Sequence, residues 1–187
     1  MDFKNLKIVC YTGGTCGDLI SALIDPTNSR MYQTVVINDP ERCRLKKPHL
    51  FDSNSAKDQY ISAIIKQYAS IPSHDLEYHK NRGHKFISIS VNDRDVALWA
   101  ATRFRALHRP HVWEEMTRYC GAGTVDDYAN VLIDYSNMVT QHTNYIVDLK
   151  DIINGNGITA LEECIQITVS DHGREFYKEW LLANERV

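Results

Sequence analysis

Residues 7–24 decide the fold of this chain, and they read Lys7-Ile8-Val9-Cys10-Tyr11-Thr12-Gly13-Gly14-Thr15-Cys16-Gly17-Asp18-Leu19-Ile20-Ser21-Ala22-Leu23-Ile24. A short apolar run rich in β-branched residues leads into a glycine turn. Apolar residues then recur at helical spacing, at Leu19, Ile20, Leu23 and Ile24. The pattern predicts a strand, a tight loop and a helix in succession. Such a loop directs several backbone N–H groups and a helix N-terminus to one point, which suits a phosphate or sulfate group.

The residues of this loop that we expect to contact an anion are Thr12, Gly13, Gly14, Thr15, Cys16, Gly17 and Asp18. The loop is not the full nucleotide-triphosphatase loop, which needs a Lys-Ser/Thr pair after its last glycine. Asp18 follows Gly17 instead, and its carboxylate would repel a phosphate unless it points away and caps the helix. The alternative is a glycine turn that only lets the strand and the helix pack closely, because such turns are common.

Composition and charge narrow the class of protein. The chain has 187 residues, of which 43% are hydrophobic, and this fits a single domain (1–187) with its own core. The formal net charge of −3 gives no basic footprint for general nucleic-acid binding. Five scattered cysteines form no C-x-x-C pair, which favours free thiols in a reducing compartment. The sequence shows no signal-like apolar start and no bilayer-length apolar run, so we expect a cytoplasmic protein that does not bind membranes.

Strand and helix patterns alternate along the rest of the chain. Strands are predicted over 31–38, 85–91 and 144–149, and the alternating serines of 85–91 indicate one less covered face. Helices are predicted after residue 55 (apolar at 60, 61, 64, 65 and 68), after residue 95, and over 111–119, 124–140, 159–164 and 170–184. Thr124 and Asp127 form a cap-like pair. Strands separated by helices predict an α/β fold, a parallel sheet with helices on both faces, whose ligands bind beyond the carboxyl ends of the strands.

Residues 39–54 are predicted to form a long surface loop with a basic cluster at Arg42, Arg44, Lys46 and Lys47. Two interpretations stay open for this loop: a solvated surface, or an arm that closes over an anionic substrate. Further on, His74, His79 and His84 lie five residues apart. That spacing fits neither a helical i, i+4 pair nor a zinc pattern, so we expect no metal.

Gly13-Gly14-Thr15, Ser73-His74-Asp75 and residues 91–98 follow one another along the chain. In this order they resemble three segments of the sulfotransferase family, whose fold is a P-loop-type α/β sheet. Gly13-Gly14-Thr15 resembles the loop that takes the 5′ end of 3′-phosphoadenosine 5′-phosphosulfate. Ser73-His74-Asp75 resembles the step where that family keeps its catalytic base. The segment that binds the cofactor's 3′-phosphate is similar to Val91-Asn92-Asp93-Arg94-Asp95-Val96-Ala97-Leu98. The resemblance implies a P-loop/sulfotransferase-like fold with 3′-phosphoadenosine 5′-phosphosulfate as cofactor.

The resemblance also implies catalytic roles. His74 would accept the proton of the acceptor hydroxyl, and Asp75 would orient its imidazole. The loop amides, with Thr15, would cradle the phosphosulfate. The alternative for His74 is a loop histidine that is hydrogen-bonded at a strand end.

The chain departs from the family at two charged positions. Thr12 stands where the family has a lysine, and Asn92, or Val91 in another register, stands where it has the arginine for the 3′-phosphate. Each lost charge-assisted donor weakens anion binding by roughly 1.5–3 kcal/mol. Arg94 and Arg103, with Arg105 nearby, would replace part of this charge.

Three functions stay open from the sequence. The leading hypothesis is a small sulfotransferase-like protein that binds a phosphate-bearing nucleotide and transfers a sulfuryl group to a small-molecule or polymer hydroxyl. The second is a nucleotide or modified-base kinase, against which the missing Lys-Ser/Thr pair argues. The third is a catalytically silent domain that binds another protein or assembles as an oligomer. Its surface would use aromatic residues, although core packing is their commoner use: Trp113, Tyr119, Tyr128 and Tyr135.

Overall fold

The computed structural model describes residues 7–11, 13–24, 60–64, 85–107, 110–141 and 143–184. The strands in these ranges are β1 (Lys7–Tyr11), β2 (Tyr60–Ile64), β3 (Lys85–Ser90) and β4 (Tyr145–Asp148). The helices are α1 (Gly17–Ile24), α2 (Arg94–Leu107), α3 (Pro110–Cys120), α4 (Val125–Thr140), α5 (Leu149–Ile153), α6 (Gly157–Ile165) and α7 (Asp171–Asn184). Among these helices, none combines the length and the apolar character that crossing a membrane would require.

The strands form one parallel sheet in the order β2-β1-β3-β4. Lys7 of β1 lies opposite Tyr60 on one side and Lys85 on the other, and Ile87 of β3 lies opposite Tyr145 of β4. Parallel neighbours need a crossover connection. In the chain, α1 lies between β1 and β2, and α2, α3 and α4 lie between β3 and β4. The predicted α/β class with a parallel sheet is confirmed.

The connections that leave the neighbouring strands β1 and β3 run towards opposite edges of the sheet. The chain passes from β1 to β2 at one edge, and from β3 to β4 at the other edge. This reversal is a topological switch point, and in open parallel sheets it leaves a crevice at the carboxyl ends of the two strands. The crevice lies between residue 11, where β1 ends, and residue 90, where β3 ends.

The prediction of a helix over residues 60–64 is wrong, because this segment is strand β2. It pairs with β1 along its whole length. Short apolar runs fit either period, and pairing with a neighbouring strand overrides the local pattern. The rest of that predicted helix and the predicted strand at 31–38 lie outside the described residues.

The expectation that β3 has a less covered face is also wrong. Ser88 and Ser90 are only 1% and 2% exposed, and Ile87 on the opposite face is fully buried. Ser88 Oγ and Thr143 Oγ1 share a hydrogen bond of 2.9 Å, so the serine face is buried through a satisfied polar contact. Both faces of β3 are therefore covered, as a parallel sheet requires.

The predicted helices 111–119, 124–140 and 170–184 correspond to α3, α4 and α7. The cap-like pair is a complete capping box: the Asp127 N–H donates to Thr124 Oγ1 at 3.1 Å, and Asp127 Oδ2 accepts the Thr124 N–H at 2.9 Å. In α4, Tyr128 and Tyr135 are buried. These two aromatics therefore serve the core rather than a surface.

Ser136 of α4 fixes the chain where it leaves β3. The pairing of β3 with β4 ends at Ser90, and the buried N–H of Val91 donates to Ser136 Oγ at 2.8 Å. We expect Ser136→Ala to lower the free energy of unfolding by about 1–3 kcal/mol, because it leaves a buried N–H without an acceptor. Urea unfolding measures this loss. Asn137→Ala, at the exposed next position, should change stability by less than about 0.5 kcal/mol. Equal effects of the two variants would contradict the prediction.

Candidate functional site: the glycine loop at the carboxyl edge of the sheet

The glycine loop, residues 13–16, joins β1 to α1 beside the switch point. Gly14 has a φ of +95° and Cys16 a φ of +61°, both in the left-handed region. The Ile20 N–H donates to the Cys16 carbonyl at 3.1 Å, so the hydrogen bonding of α1 begins at the loop. Left-handed residues in such turns help to bring successive N–H groups onto one side, an arrangement that binds anions.

Two glycines of the loop, and Gly17 at the start of α1, allow close contacts with α2 and β1. A Cβ atom on Gly13 would lie 2.5 Å from the Phe104 ring, and one on Gly14 would lie 2.5 Å from the Ala100 carbonyl oxygen. A Cβ on Gly17 would lie 1.9 Å from Tyr11 Cγ. The close packing that the sequence left open as an alternative is therefore present at all three glycines.

Two buried tyrosines make long-range hydrogen bonds, one to the glycine loop and one between later helices. The Tyr128 hydroxyl of α4 donates to the Gly13 carbonyl at 3.1 Å. The buried Tyr177 hydroxyl of α7 accepts the Gly157 N–H at 2.9 Å and donates to the Ile152 carbonyl. Burial raises the pKa of Tyr177, and the hydrogen bond with the Gly157 N–H offsets part of this increase. Tyr177 therefore ties α7 to α5 and α6, and α7 also packs against α1.

The guanidinium of Arg94, at the start of α2, is bound to the start of α4. It donates to Asp126 Oδ1 at 2.8 Å, to Asn130 Oδ1 at 2.9 Å and to the Asp126 carbonyl at 3.2 Å. Arg94 therefore already has a carboxylate partner. Its neighbour Asn92 is exposed.

Asp93 links the carboxyl ends of β3 and β4, a role that the sequence interpretation missed. Its Oδ1 accepts the N–H groups of Asp95 and Val96 at 2.9 and 3.4 Å, and its Oδ2 lies 2.8 Å from Lys150 Nζ. Lys150 first, and then these two amides, hold the pKa of Asp93 below its ordinary value of 3.8. An Asp directly before an apolar-periodic helix is an N-cap signal, so the capping half of this role was detectable.

The Asp93–Lys150 pair predicts a loss of stability in acid. Because the folded-state pKa of Asp93 is lowered, the pair stabilises the fold above about pH 4 and loses its effect as the pH falls through the folded-state value. We expect the thermal unfolding midpoint to fall as the pH drops below about 4, and to fall less in Asp93→Asn, which keeps a cap but not the ion pair. Asp134→Asn removes an exposed carboxylate of α4 and should retain the full decrease. An unchanged pH profile in Asp93→Asn would refute this role.

The surface at the carboxyl ends of β3 and β4, called the acidic edge below, carries more carboxylates than cations among the described residues. Two cations there, Arg94 and Lys150, face five carboxylates: Asp93, Asp95, Asp126, Asp127 and Asp148. Lys150 feels three of them, since Asp93 and then Asp148 and Asp95 raise its pKa. An anionic ligand is therefore repelled from this side and favoured on the β1 side, at the glycine loop.

Arg103 has different surroundings from Arg94. Its guanidinium carbon lies 5.6 Å from the Trp99 ring centroid and 5.4 Å from that of Trp180, and Nε donates to Asn184 Oδ1 at 2.6 Å. Nine residues of helix separate Arg103 from Arg94, roughly 13 Å along the axis. The structure therefore does not bring the two predicted arginines to one point.

Several predicted site residues lie outside the described residues: Thr12, His74, Asp75 and the basic cluster at 42–47. Asp18 is in the first turn of α1. Within the ranges that the structure covers, no group of three or more His, Cys, Asp or Glu side chains could hold a metal ion. Cys16, Cys120 and Cys164 form no disulfide, and burial raises the pKa of the latter two.

No protein-family model, curated protein or solved structure matches this chain. The geometry of the glycine loop and its position on the sheet are therefore the basis for a functional inference.

Proposed function

We propose that this chain binds a phosphate-bearing nucleotide at the glycine loop, on a P-loop/sulfotransferase-like form of the α/β fold. One observation carries the proposal: the loop follows β1 at the carboxyl edge of the sheet, beside the switch point between β1 and β3. Ligands of open parallel sheets bind in that crevice. The first-turn N–H groups of α1 and the positive end of its dipole add attraction for an anion at the loop.

In this proposal the loop holds the 5′ phosphate of a nucleotide of the 3′-phosphoadenosine 5′-phosphosulfate type. The cofactor supplies the sulfuryl group that passes to the acceptor oxygen. His74 accepts the proton of the acceptor hydroxyl, and Asp75 orients its imidazole. Asn92, Arg94 and Arg103 are the proposed contacts of the second phosphate. They have less support than the loop, since Arg94 is paired with Asp126 and Arg103 lies between two indoles.

A gain of affinity is the sharpest test, because it does not depend on damaging the fold. We expect Thr12→Lys to bind 3′-phosphoadenosine 5′-phosphate about tenfold more tightly than the native chain, since it adds one charge-assisted donor beside the loop. Titration calorimetry measures the dissociation constant. Asn137→Lys adds the same charge at an exposed site on α4 and should leave the affinity unchanged. Equal gains in both variants would mean a general charge effect and would refute the loop as the site.

The same titration separates the three functions. Preference for 3′-phosphoadenosine 5′-phosphate supports the transferase, and preference for ATP supports a kinase. Asp18→Asn, which removes a carboxylate from the first turn of α1, should strengthen binding of either nucleotide. If neither nucleotide binds to the native chain, to Thr12→Lys or to Asp18→Asn, nucleotide binding is excluded.

We propose as the second candidate a catalytically silent binding domain on the same fold. The observation that favours it is that Arg94 and Lys150, the cations described beside the carboxyl ends of β3 and β4, are paired with Asp126 and Asp93. A domain that holds no nucleotide has no need of free cations there. Failure of all the nucleotide titrations is the result that this candidate predicts.

A further inference from the structure

The C-terminal half of α2 carries two arginines that are stacked on tryptophans. Arg103 lies between Trp99 and Trp180, and Arg105 lies 5.8 Å from the ring centroid of Trp113 on α3. The chain has three tryptophans, so all of them contact one of these two guanidiniums. We refer to the two stacks, with the helix surface between them, as the Arg–Trp face.

In the part of the chain that the structure describes, neither arginine forms an ion pair, whereas several other cations do. In the described ranges, Arg94, Lys150 and Arg174 each form an ion pair with a carboxylate, whereas none joins Arg103 or Arg105 to one. The sequence around them contains no Asp or Glu from residue 96 to residue 113. The positive charge of the Arg–Trp face is therefore local to the two guanidiniums, since Glu114 follows Trp113 on α3 and Glu179 precedes Trp180 on α7.

The two stacks flank a strip of small side chains. Thr102 and Ala106 are both exposed and lie one turn apart, while Phe104 is buried on the inner side of the helix. Arg103 and Arg105, two positions apart, point about 200° apart around the axis, so each leans towards a different neighbouring helix. The indoles restrict the movement of the two guanidiniums, whose N–H groups have the fork geometry that matches a carboxylate. In Arg103 the Nε–H already donates to Asn184 Oδ1, which leaves its terminal N–H groups for a ligand.

We propose that the Arg–Trp face binds an acidic peptide segment of a partner protein, whose carboxylates accept hydrogen bonds from Arg103 and Arg105. The two guanidiniums are separated by about one helix diameter, roughly 10–12 Å. Side chains four positions apart in an extended chain point to the same side and are about 13 Å apart. The matching segment is therefore extended, with Asp or Glu at positions i and i+4, and it crosses α2 over Thr102 and Ala106.

Charge and stacking favour a peptide over a nucleic acid. A single-stranded nucleic acid binds through aromatic faces on which its bases stack. Here Trp99, Trp113 and Trp180 already stack on the chain's own guanidiniums. A long polyanion would also meet the acidic edge beside β3 and β4, whereas a short acidic segment need not extend that far.

The tryptophans provide the readout for a direct test. The probe is a synthetic Gly/Ser peptide of about ten residues with two Asp residues four positions apart, and the signal is intrinsic tryptophan fluorescence. We expect a fluorescence change that saturates below about 1 mM peptide and weakens as salt rises from about 0.02 M to about 0.5 M. The same peptide with Asn in place of Asp should give no change.

Single substitutions of arginines test where on the protein the peptide binds. Arg105→Gln should weaken the peptide by about tenfold or more, since a hydrogen bond between charged groups is lost, and Arg103→Gln should act in the same direction. Arg118→Gln is the matched control: it removes an exposed arginine in the last turn of α3 and should change the affinity by less than about twofold. Because Arg105 is exposed, we expect Arg105→Gln to keep the fold. If Arg103→Gln is unstable, Arg105→Gln alone tests whether the peptide binds at this face.

Three results would overturn the proposal. The first is no fluorescence change at about 5 mM peptide in low salt. The second is an equal loss in Arg118→Gln and Arg105→Gln, which would mean unspecific attraction. The third is tight binding of oligothymidylate in place of the peptide, which would assign the face to nucleic acid. Nucleotide binding at the glycine loop is measured separately by calorimetry, so failure at one site does not decide the other.

Discussion

Gly17→Ala is expected to lower the free energy of unfolding by at least about 3 kcal/mol. The added Cβ would lie 1.9 Å from Tyr11 Cγ and 2.1 and 2.3 Å from the two Cδ atoms. Cγ is the first ring atom beyond Cβ, so rotation of the ring cannot move it far. Its backbone belongs to β1, which is paired on both sides. The clash therefore has to be relieved by separating α1 from the sheet.

Urea unfolding followed by circular dichroism measures the loss in Gly17→Ala. Gly123→Ala is the matched control, because a Cβ there meets only Asp127 Oδ2 at 3.5 Å, an ordinary contact. It should stay within about 0.5 kcal/mol of the native chain. A double-mutant cycle sharpens the test: Gly17→Ala should cost clearly less when Tyr11→Ala has removed the ring. Additive effects in the cycle would refute this clash as the cause.

Tyr177→Phe is expected to cost about 2–4 kcal/mol, the second-largest effect. The variant keeps the buried ring and its stacking on Trp180 but removes two hydrogen bonds. It leaves the Gly157 N–H without its acceptor and the Ile152 carbonyl without this donor. Gly157 is the first residue of α6 and Ile152 belongs to α5, so the hydroxyl joins three helices.

Tyr128→Phe gives the comparison for Tyr177→Phe under the same denaturant. Its hydroxyl donates one described hydrogen bond, to the Gly13 carbonyl. An under-satisfied carbonyl costs less than an orphaned N–H, so we expect a smaller loss, about 1 kcal/mol. If both variants lose the same amount, or Tyr177→Phe loses less than about 1 kcal/mol, the proposed junction of three helices is wrong.

Local chemistry made much of the fold predictable. The strand, loop and helix of residues 7–24 are encoded by β-branched residues, glycines and helical spacing within a single segment. The capping box at Thr124 needs only two side chains three positions apart. Segment 60–64 was mistaken for a helix because its pairing with β1 depends on residues about fifty positions away, which no local period reveals.

The position of the candidate site on the sheet was predictable from the sequence, but the side-chain contacts within it were not. The glycine loop and residues 92–94 were expected at the carboxyl ends of strands, where the structure has them. The sequence could not indicate that Arg94 meets Asp126, or that Lys150 meets Asp93 across 57 positions. Carboxylates at the starts of α2 and α4 favour the helix ends, and the topology then brings Lys150 beside Asp93 and Arg94 beside Asp126.

The hydrogen bond between the Tyr128 hydroxyl and the Gly13 carbonyl can form only late in the synthesis of the chain. The two residues are 115 positions apart, so the loop exists as a segment of nascent chain long before its support. At a synthesis rate of about 5–20 residues per second, roughly 6–23 s pass between their additions. Phe104 and Ala100, which cover the glycines, are also translated after a long delay. The ribosome therefore releases a central strand and its loop well before the parts that shape them, and this interval is when the chain most needs protection from wrong pairing.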